Sequence, residues 1–281
     1  MNTVTYNGTP LIYGAGGSGE PAWESKTWNG LTNFSASRIW TDGDNIYYSG
    51  GTGGTQYVLD KTTSTWSAKT WTGFTSLYGD YIWTDGENIY HSRSSSDQYV
   101  LDKATSTWTA KTWSGLTTPV GSRIWTDGEN VYYSYDSQQW VLNKATSKWS
   151  TKSWSGAATN DINASYIWTD GEHVYISKAA SQYVLNKATS TWTTKTWNGL
   201  TSFYAGGVWS DGEAFYYSFE SQQCVLNNAT STWTAKTWEG YSPTYGASVW
   251  TDSGKIYYSD GAAQYVLNKP TSSGLAVYYN P

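Results

Sequence analysis

A chain of 281 residues admits one large domain or two small ones, and 38% hydrophobic residues are enough for a core. Charged residues make up only 14%, which excludes a disordered chain, and a net charge of −5 without any Lys/Arg run excludes the clustered basic footprint of a nucleic-acid groove. The aromatic share of 17%, with 19 Trp and 25 Tyr, points to a β-protein packed with large amphipathic rings.

Residues 1–21 read as an N-terminal arm. Met1 is followed by Asn-Thr-Val-Thr-Tyr, with neither a basic n-region nor an apolar h-region, so no classical export signal is expected. Val4-Thr5-Tyr6 reads as a strand, Asn7-Gly8 as a turn, and Leu11-Ile12-Tyr13 leads into a Gly-rich linker. No apolar stretch approaches the roughly 20 residues that span a bilayer, so a soluble product without membrane insertion is expected. Cys224 is the sole cysteine, which rules out an intramolecular disulfide and leaves the compartment open.

From residue 22 to 269 one unit recurs six times, with copies starting near 22, 65, 107, 148, 191 and 232. Lys-Thr-Trp (once Lys-Ser-Trp) ends at Trp28, Trp71, Trp113, Trp154, Trp197 and Trp238. Trp-Thr-Asp-Gly or a close variant starts at Trp40, Trp83, Trp125, Trp168, Trp209 and Trp250. Gln-Tyr-Val-Leu or a close variant starts at Gln56, Gln98, Gln139, Gln182, Gln223 and Gln264, and all spacings fall between 41 and 43 residues.

Each unit reads as four short strands, a to d. In the second copy these are 81–84, 88–91, 98–101 and 107–113, with Asp85-Gly86-Glu87 as the a–b hairpin turn. No segment carries a 3.6-residue apolar period, so essentially no helix is expected. Four antiparallel strands in about 40 residues, repeated, describe a propeller blade. Trp108 and Trp113, five residues apart, project to opposite faces of the sheet, so both faces need covering. The chain opens with an orphan strand d at Trp23–Trp28 and closes with an orphan a-b-c set at 246–268. Joining them completes a sixth blade and removes the ends that a solenoid would have to cap. The fold expected is therefore an all-β, six-bladed, pseudo-symmetric propeller of four-stranded antiparallel blades. Residues 270–281 form a tail whose Leu-Ala-Val-Tyr-Tyr is the rival closing strand. The N-terminal strand is preferred because it matches the other copies.

The stretch Tyr99-Val-Leu-Asp-Lys-Ala-Thr-Ser-Thr-Trp108 resembles the kelch repeat, whose Tyr-Asp…Thr…Trp pattern spans strands c and d. The resemblance covers residues 22–269 and implies a propeller. The double glycine of kelch strand b survives only as Gly50-Gly51, and the copies are shorter than kelch repeats. Near-identical kelch-like repeats also resemble proteins encoded by bacteriophages and prophages of gut bacteria, a resemblance that implies no specific activity; with no classical export signal, a cytoplasmic or virion-associated location is expected.

No catalytic set stands out, and the expectation is a protein that is not an enzyme and needs no cofactor and no metal. His91 and His173 fall at opposite ends of equivalent strands in different copies. Cys224 occupies a position that is Tyr57 or Tyr99 elsewhere, and the Asp-Gly-Asp/Glu turns lack the oxygen spacing of a calcium loop. Eighteen of the 19 tryptophans sit in three fixed slots and read as core, with Trp140 off register.

Differences among the copies are informative. The a–b and c–d turns barely change, whereas the d–a and b–c connections vary in length and chemistry and share one rim. A binding face is expected there. The d–a connections offer Phe34, Arg38, Tyr78, Tyr81, Arg123, Tyr166, Phe203, Tyr204, Tyr241 and Tyr245, and the b–c loops add Tyr135, Lys178, Phe219 and Asp260. This wet, aromatic surface suits a protein hot spot or a glycan, and a monomer binding one of the two is expected.

Overall fold

The computed structural model describes residues 5–6, 9–10, 21–35, 38–50, 55–74, 77, 82–92, 98–117, 119–135, 138–156, 162, 167–200, 202–204, 207–252 and 254–268. Six four-stranded antiparallel blades form a β-propeller with almost no helix. Blade 1 consists of Ile39–Thr41, Ile46–Ser49, Gln56–Asp60 and Thr65–Ala68 as strands a to d. Blade 2 runs Ile82–Thr84, Ile89–Ser92, Gln98–Asp102, Thr107–Ala110, and blade 3 runs Ile124–Thr126, Val131–Tyr135, Gln138–Asn143, Lys148–Thr151. Blade 4 is Ile167–Thr169, Val174–Ala179, Ser181–Asn186, Thr191–Thr194, and blade 5 is Val208–Ser210, Phe215–Phe219, Gln222–Asn227, Thr232–Ala235. Blade 6 takes Val249–Asp252, Lys255–Asp260 and Ala263–Asn268 from the end of the chain and Ala22–Ser25 from its beginning.

The N-terminal strand therefore closes the ring, in the register Leu267↔Trp23 and Val266↔Glu24. Strand d is shorter than its sequence pattern, ending at Ala110 rather than Trp113 in blade 2. Thr5–Tyr6 and Thr9–Pro10 pair as a separate two-stranded antiparallel sheet. The C-terminal strand expected at 275–279 lies outside the described residues.

Burial explains why the strands lose simple alternation. All four residues of strand b in blades 1 and 2 are buried, because each sheet is covered on both faces by its neighbours. The three tryptophan slots converge at every junction. Trp83 of blade 2, Trp113 beyond its strand d and Trp149 of blade 3 pack with ring centroids 5.7–6.3 Å apart. The same triad forms across the closing junctions, as Trp209, Trp238 and Trp23 and as Trp250, Trp28 and Trp66. Trp108 joins the core between blades 1 and 2 and Trp113 the core between blades 2 and 3, so the two rings do cover opposite faces.

A second ring of bonds runs around the outside. The residue after each late tryptophan bridges in parallel to the start of the next blade's strand d: Asn29↔Thr65, Thr72↔Thr107, Ser114↔Lys148, Ser155↔Thr191, Asn198↔Thr232 and, across the closure, Glu239↔Ala22. The lysines Lys26, Lys69, Lys111, Lys152 and Lys195 of the Lys-Thr/Ser-Trp anchors then reach the serine of the next c–d turn, as in Lys69 Nζ to Ser106 Oγ at 2.8 Å and Lys195 to Ser231 at 2.8 Å. That serine has positive φ in each of these turns.

Candidate functional site: two unlike rims

The rim of invariant turns is consumed by internal bonds. In the a–b hairpins of blades 1 to 5 the aspartate caps its own turn: Asp85 Oδ1 accepts from the amides of Glu87 and Asn88, and Oδ2 accepts from the Tyr90 hydroxyl at 2.9 Å. Burial opposes ionisation of Asp42 and Asp85, but these donors outweigh it and hold both carboxyls below the usual carboxylate range. The tyrosine partners shift the other way, with burial first and the carboxylate second pushing the Tyr47 and Tyr90 hydroxyls up. Tyr257 is pushed up to about 12 by burial and by the charge of Asp252. Carboxylate oxygens already filled by N–H and O–H donors are poor cation ligands, so the acidic turns work as hairpin chemistry.

The same rim is laced from blade to blade. Lys103, Lys144 and Lys187 in the c–d turns donate to the carbonyls of Asp42, Asp85 and Asp127 in the preceding blades. Across the closure Lys61 pairs with Asp252 at 2.9 Å. Blade 5 carries Asn228 at the lysine position.

The opposite rim is built differently, and here the structure corrects the sequence reading. The d–a connections are not free loops. Each first bridges to the next strand d, and those leading into blades 1, 2, 4 and 5 then place one apolar residue in the junction core. Phe34, expected on the binding face, is only 1% exposed and packs on Tyr48 and Trp66. Phe203, also expected there, is 0% exposed and packs on Tyr217 and Trp233. Leu77 and Ile162 fill the same role. Hydrophobic burial at closely packed blade junctions outweighs the loop's freedom to display these side chains.

A polar relay ties several of these connections to strand c. In blade 2 Trp83 Nε1 donates to Ser92 Oγ at 2.8 Å, and Ser92 donates to Gln98 Oε1 at 2.6 Å. Gln98 Nε2 then donates to the Pro119 carbonyl of the connection at 3.2 Å. Blade 1 repeats this through Trp40, Ser49, Gln56 and Leu77, and blade 5 through Trp209, Ser218, Gln223 and Pro243. In blade 4 Gln182 turns to the Ala179 carbonyl, and the connection is held by backbone pairing of Phe203–Tyr204 with strand b. The glutamine stood out in the sequence only as a strand c anchor. Its recurrence in six copies was the visible sign of this buried role.

The odd residues have packing explanations. Tyr241 stacks on Tyr265 at 4.0 Å and Phe74 on Tyr99 at 4.1 Å, while Leu200 joins the core that Cys224 packs against and Leu116 the core that Trp140 packs against. Burial pushes the Cys224 thiol up, away from the thiolate that reacts. His91 is fully buried beside Phe74, Tyr99 and Trp108.

What remains on this rim is sparse. Tyr135, 44% exposed, and Tyr245, 47% exposed, are the only exposed large hydrophobic side chains among the described residues. The Arg123 guanidinium lies 4.4 Å from the Tyr135 ring centroid. Phe219 meets Tyr245 edge-on at 5.8 Å, and the two residues also bridge through their backbones. Arg38, Arg123, Phe219 and Tyr241 are half-buried, and Lys178 and Asp260 are exposed. Tyr78, Tyr81 and Tyr166 lie outside the described residues, as does the side chain of Tyr204.

Fold and rims together define a six-bladed β-propeller with one braced rim and one variable rim. No protein-family model and no curated protein sequence matches the chain. Its fold is similar to that of the extracellular domain of a proposed hybrid two-component system from B. thetaiotaomicron, with a TM-score of 0.51 and 12% identity over 82% of this chain. A second structure, the extracellular domain of a proposed one-component system from the same organism, has a TM-score of 0.49 and 12% identity over 81% of this chain. The chain spans 33% of the length of each. No helix among the described residues is long and apolar enough to cross a membrane.

Proposed function

We propose that this propeller is a non-enzymatic recognition or scaffold module that binds a macromolecule through its variable rim. The observation that carries the reading is the division of labour between the rims. The a–b and c–d turns spend their polar groups on bracing neighbouring blades, whereas the exposed Tyr135 and Tyr245 stand at the b–c and d–a side. Rigid scaffolds that display variable residues on one edge are suited to recognition. A fold alone assigns no ligand. That a module of similar fold stands outside the cell in a proposed two-component system supports recognition as a use of such a disc. The same reading takes the repeats as kelch-like and the molecule as a monomer. Its alternative form is a carbohydrate-binding propeller, for instance in a phage adhesion device.

A photo-crosslinking comparison tests it. Photoreactive residues placed at Gln138 or Gln222 on the variable rim, and at Thr105 or Thr146 on the braced rim, are irradiated in an extract of the encoding organism. Saturable adducts are expected from the first pair only. Equal labelling from both rims, or labelling confined to the braced rim, refutes the assignment.

A further inference from the structure

The two exposed tyrosines differ from the rest of the aromatic population in how they are held. The tyrosines of the blade junctions are buried, and several spend their hydroxyls on protein partners, as Tyr90 does on Asp85 at 2.9 Å and Tyr258 with Thr244 at 3.2 Å. Tyr135 and Tyr245 keep nearly half their surface in water, yet each is fixed by a second side chain. Arg123 backs Tyr135, and the positive charge sits over the ring where the π-system attracts it. Phe219 meets Tyr245 at an interplanar angle of 85°, the favoured edge-to-face geometry. An aromatic ring held in place before a ligand arrives loses little conformational freedom on binding.

The surroundings narrow the ligand. Tyr135 of strand b is paired with exposed Gln138 of strand c, and Phe219 is paired with exposed Gln222 next to exposed Glu220 and Ser221. No Leu, Ile, Val, Met or Phe is exposed among the described residues. A stable protein interface buries roughly 1,200–2,000 Å² around a contiguous apolar core, and among the described residues the two exposed rings stand in polar settings rather than in such a core. They do match a hydroxylated ring. Its C–H face lies on the π face, and its hydroxyls meet amide, guanidinium and carboxylate groups at the edge.

We infer that Tyr135 with Arg123, and Tyr245 with Phe219, are two stacking platforms for pyranose rings of a glycan. This rests on the recognition reading above and names its ligand class. The test uses the full-length protein on an array of neutral and acidic oligosaccharides, followed by calorimetric titration of the strongest binder. Tyr135→Ala and Tyr245→Ala should each weaken binding about tenfold with an unchanged melting temperature, while Tyr135→Phe keeps most of the affinity because it keeps the ring face. Absence of binding to every oligosaccharide, or affinities unchanged by both alanine substitutions, overturns the inference. Crosslinks on the variable rim without glycan binding would defeat the glycan assignment alone. Crosslinks confined to the braced rim would defeat the recognition reading with it.

Discussion

Six glycines show how a single atom governs the join between blades. Gly115, which follows Trp113-Ser114, has φ +85°, and a Cβ there would stand 1.9 Å from the carbonyl oxygen of Trp149 in the next blade. Gly30, Gly73, Gly156, Gly199 and Gly240 meet the corresponding tryptophan carbonyls in the same way. Gly128, in an a–b turn, has φ +93° with nothing near its Cβ position. The two positions therefore separate backbone conformation from steric contact. Gly128→Ala should cost about 1 kcal/mol, the left-handed penalty alone, and Gly115→Ala should cost well over that, about 3 kcal/mol. Urea midpoints of the two variants check the difference. Trp-x-Gly recurs in the sequence, but the carbonyl that Gly115 accommodates belongs to Trp149 in another blade and the one that Gly240 accommodates belongs to Trp23 near the other end of the chain, and only the ring brings them together.

At the scale of the element, the a–b hairpin is the best-determined part of the chain. The Asp-Gly turn signal gave its place, and the structure adds that Asp42 and Asp85 are held in the ionised state by amide and tyrosine hydroxyl donors. Both folded-state pKa values lie below the ordinary carboxylate range. The stabilisation is therefore complete above the unfolded value near pH 4 and is lost as pH falls through the lower folded value. Asp85→Asn should destabilise by about 1–2 kcal/mol at pH 7, and its deficit relative to wild type should shrink as the pH is lowered toward 2. Thermal melts between pH 7 and pH 2 provide the measurement. The d–a connection is the least legible element. Its variable length and polar character read as a displayed loop, yet Phe34, Leu77 and Ile162 are plugs whose carbonyls accept from a strand c glutamine, and Phe203 is a plug paired with strand b. A single hydrophobic residue in a polar loop carries no periodicity, so nothing local distinguishes a plug from a contact residue.

For the whole molecule, closure is the central event. Trp23 is buried between Trp209, Trp238 and Tyr258, and the Glu239↔Ala22 bridge completes the outer ring. Trp23→Ala should therefore cost about 3–5 kcal/mol, as much as Trp149→Ala in the middle of the chain. Equilibrium unfolding in urea compares the two. A loss below about 1 kcal/mol for Trp23→Ala alone would mean that the first strand is a loose end.

The sequence by itself determined the number of blades, the four-strand unit, the hairpin turns and the N-terminal strand as the missing edge. These follow from tandem near-identity and from backbone chemistry that acts within a few residues. Only the tertiary structure decided which of the variable-rim residues are surface. Packing two sheets face to face consumes Phe34 and Phe203, and it leaves Tyr135 and Tyr245 in water. That choice depends on distances between neighbouring blades, which no local pattern along the chain encodes.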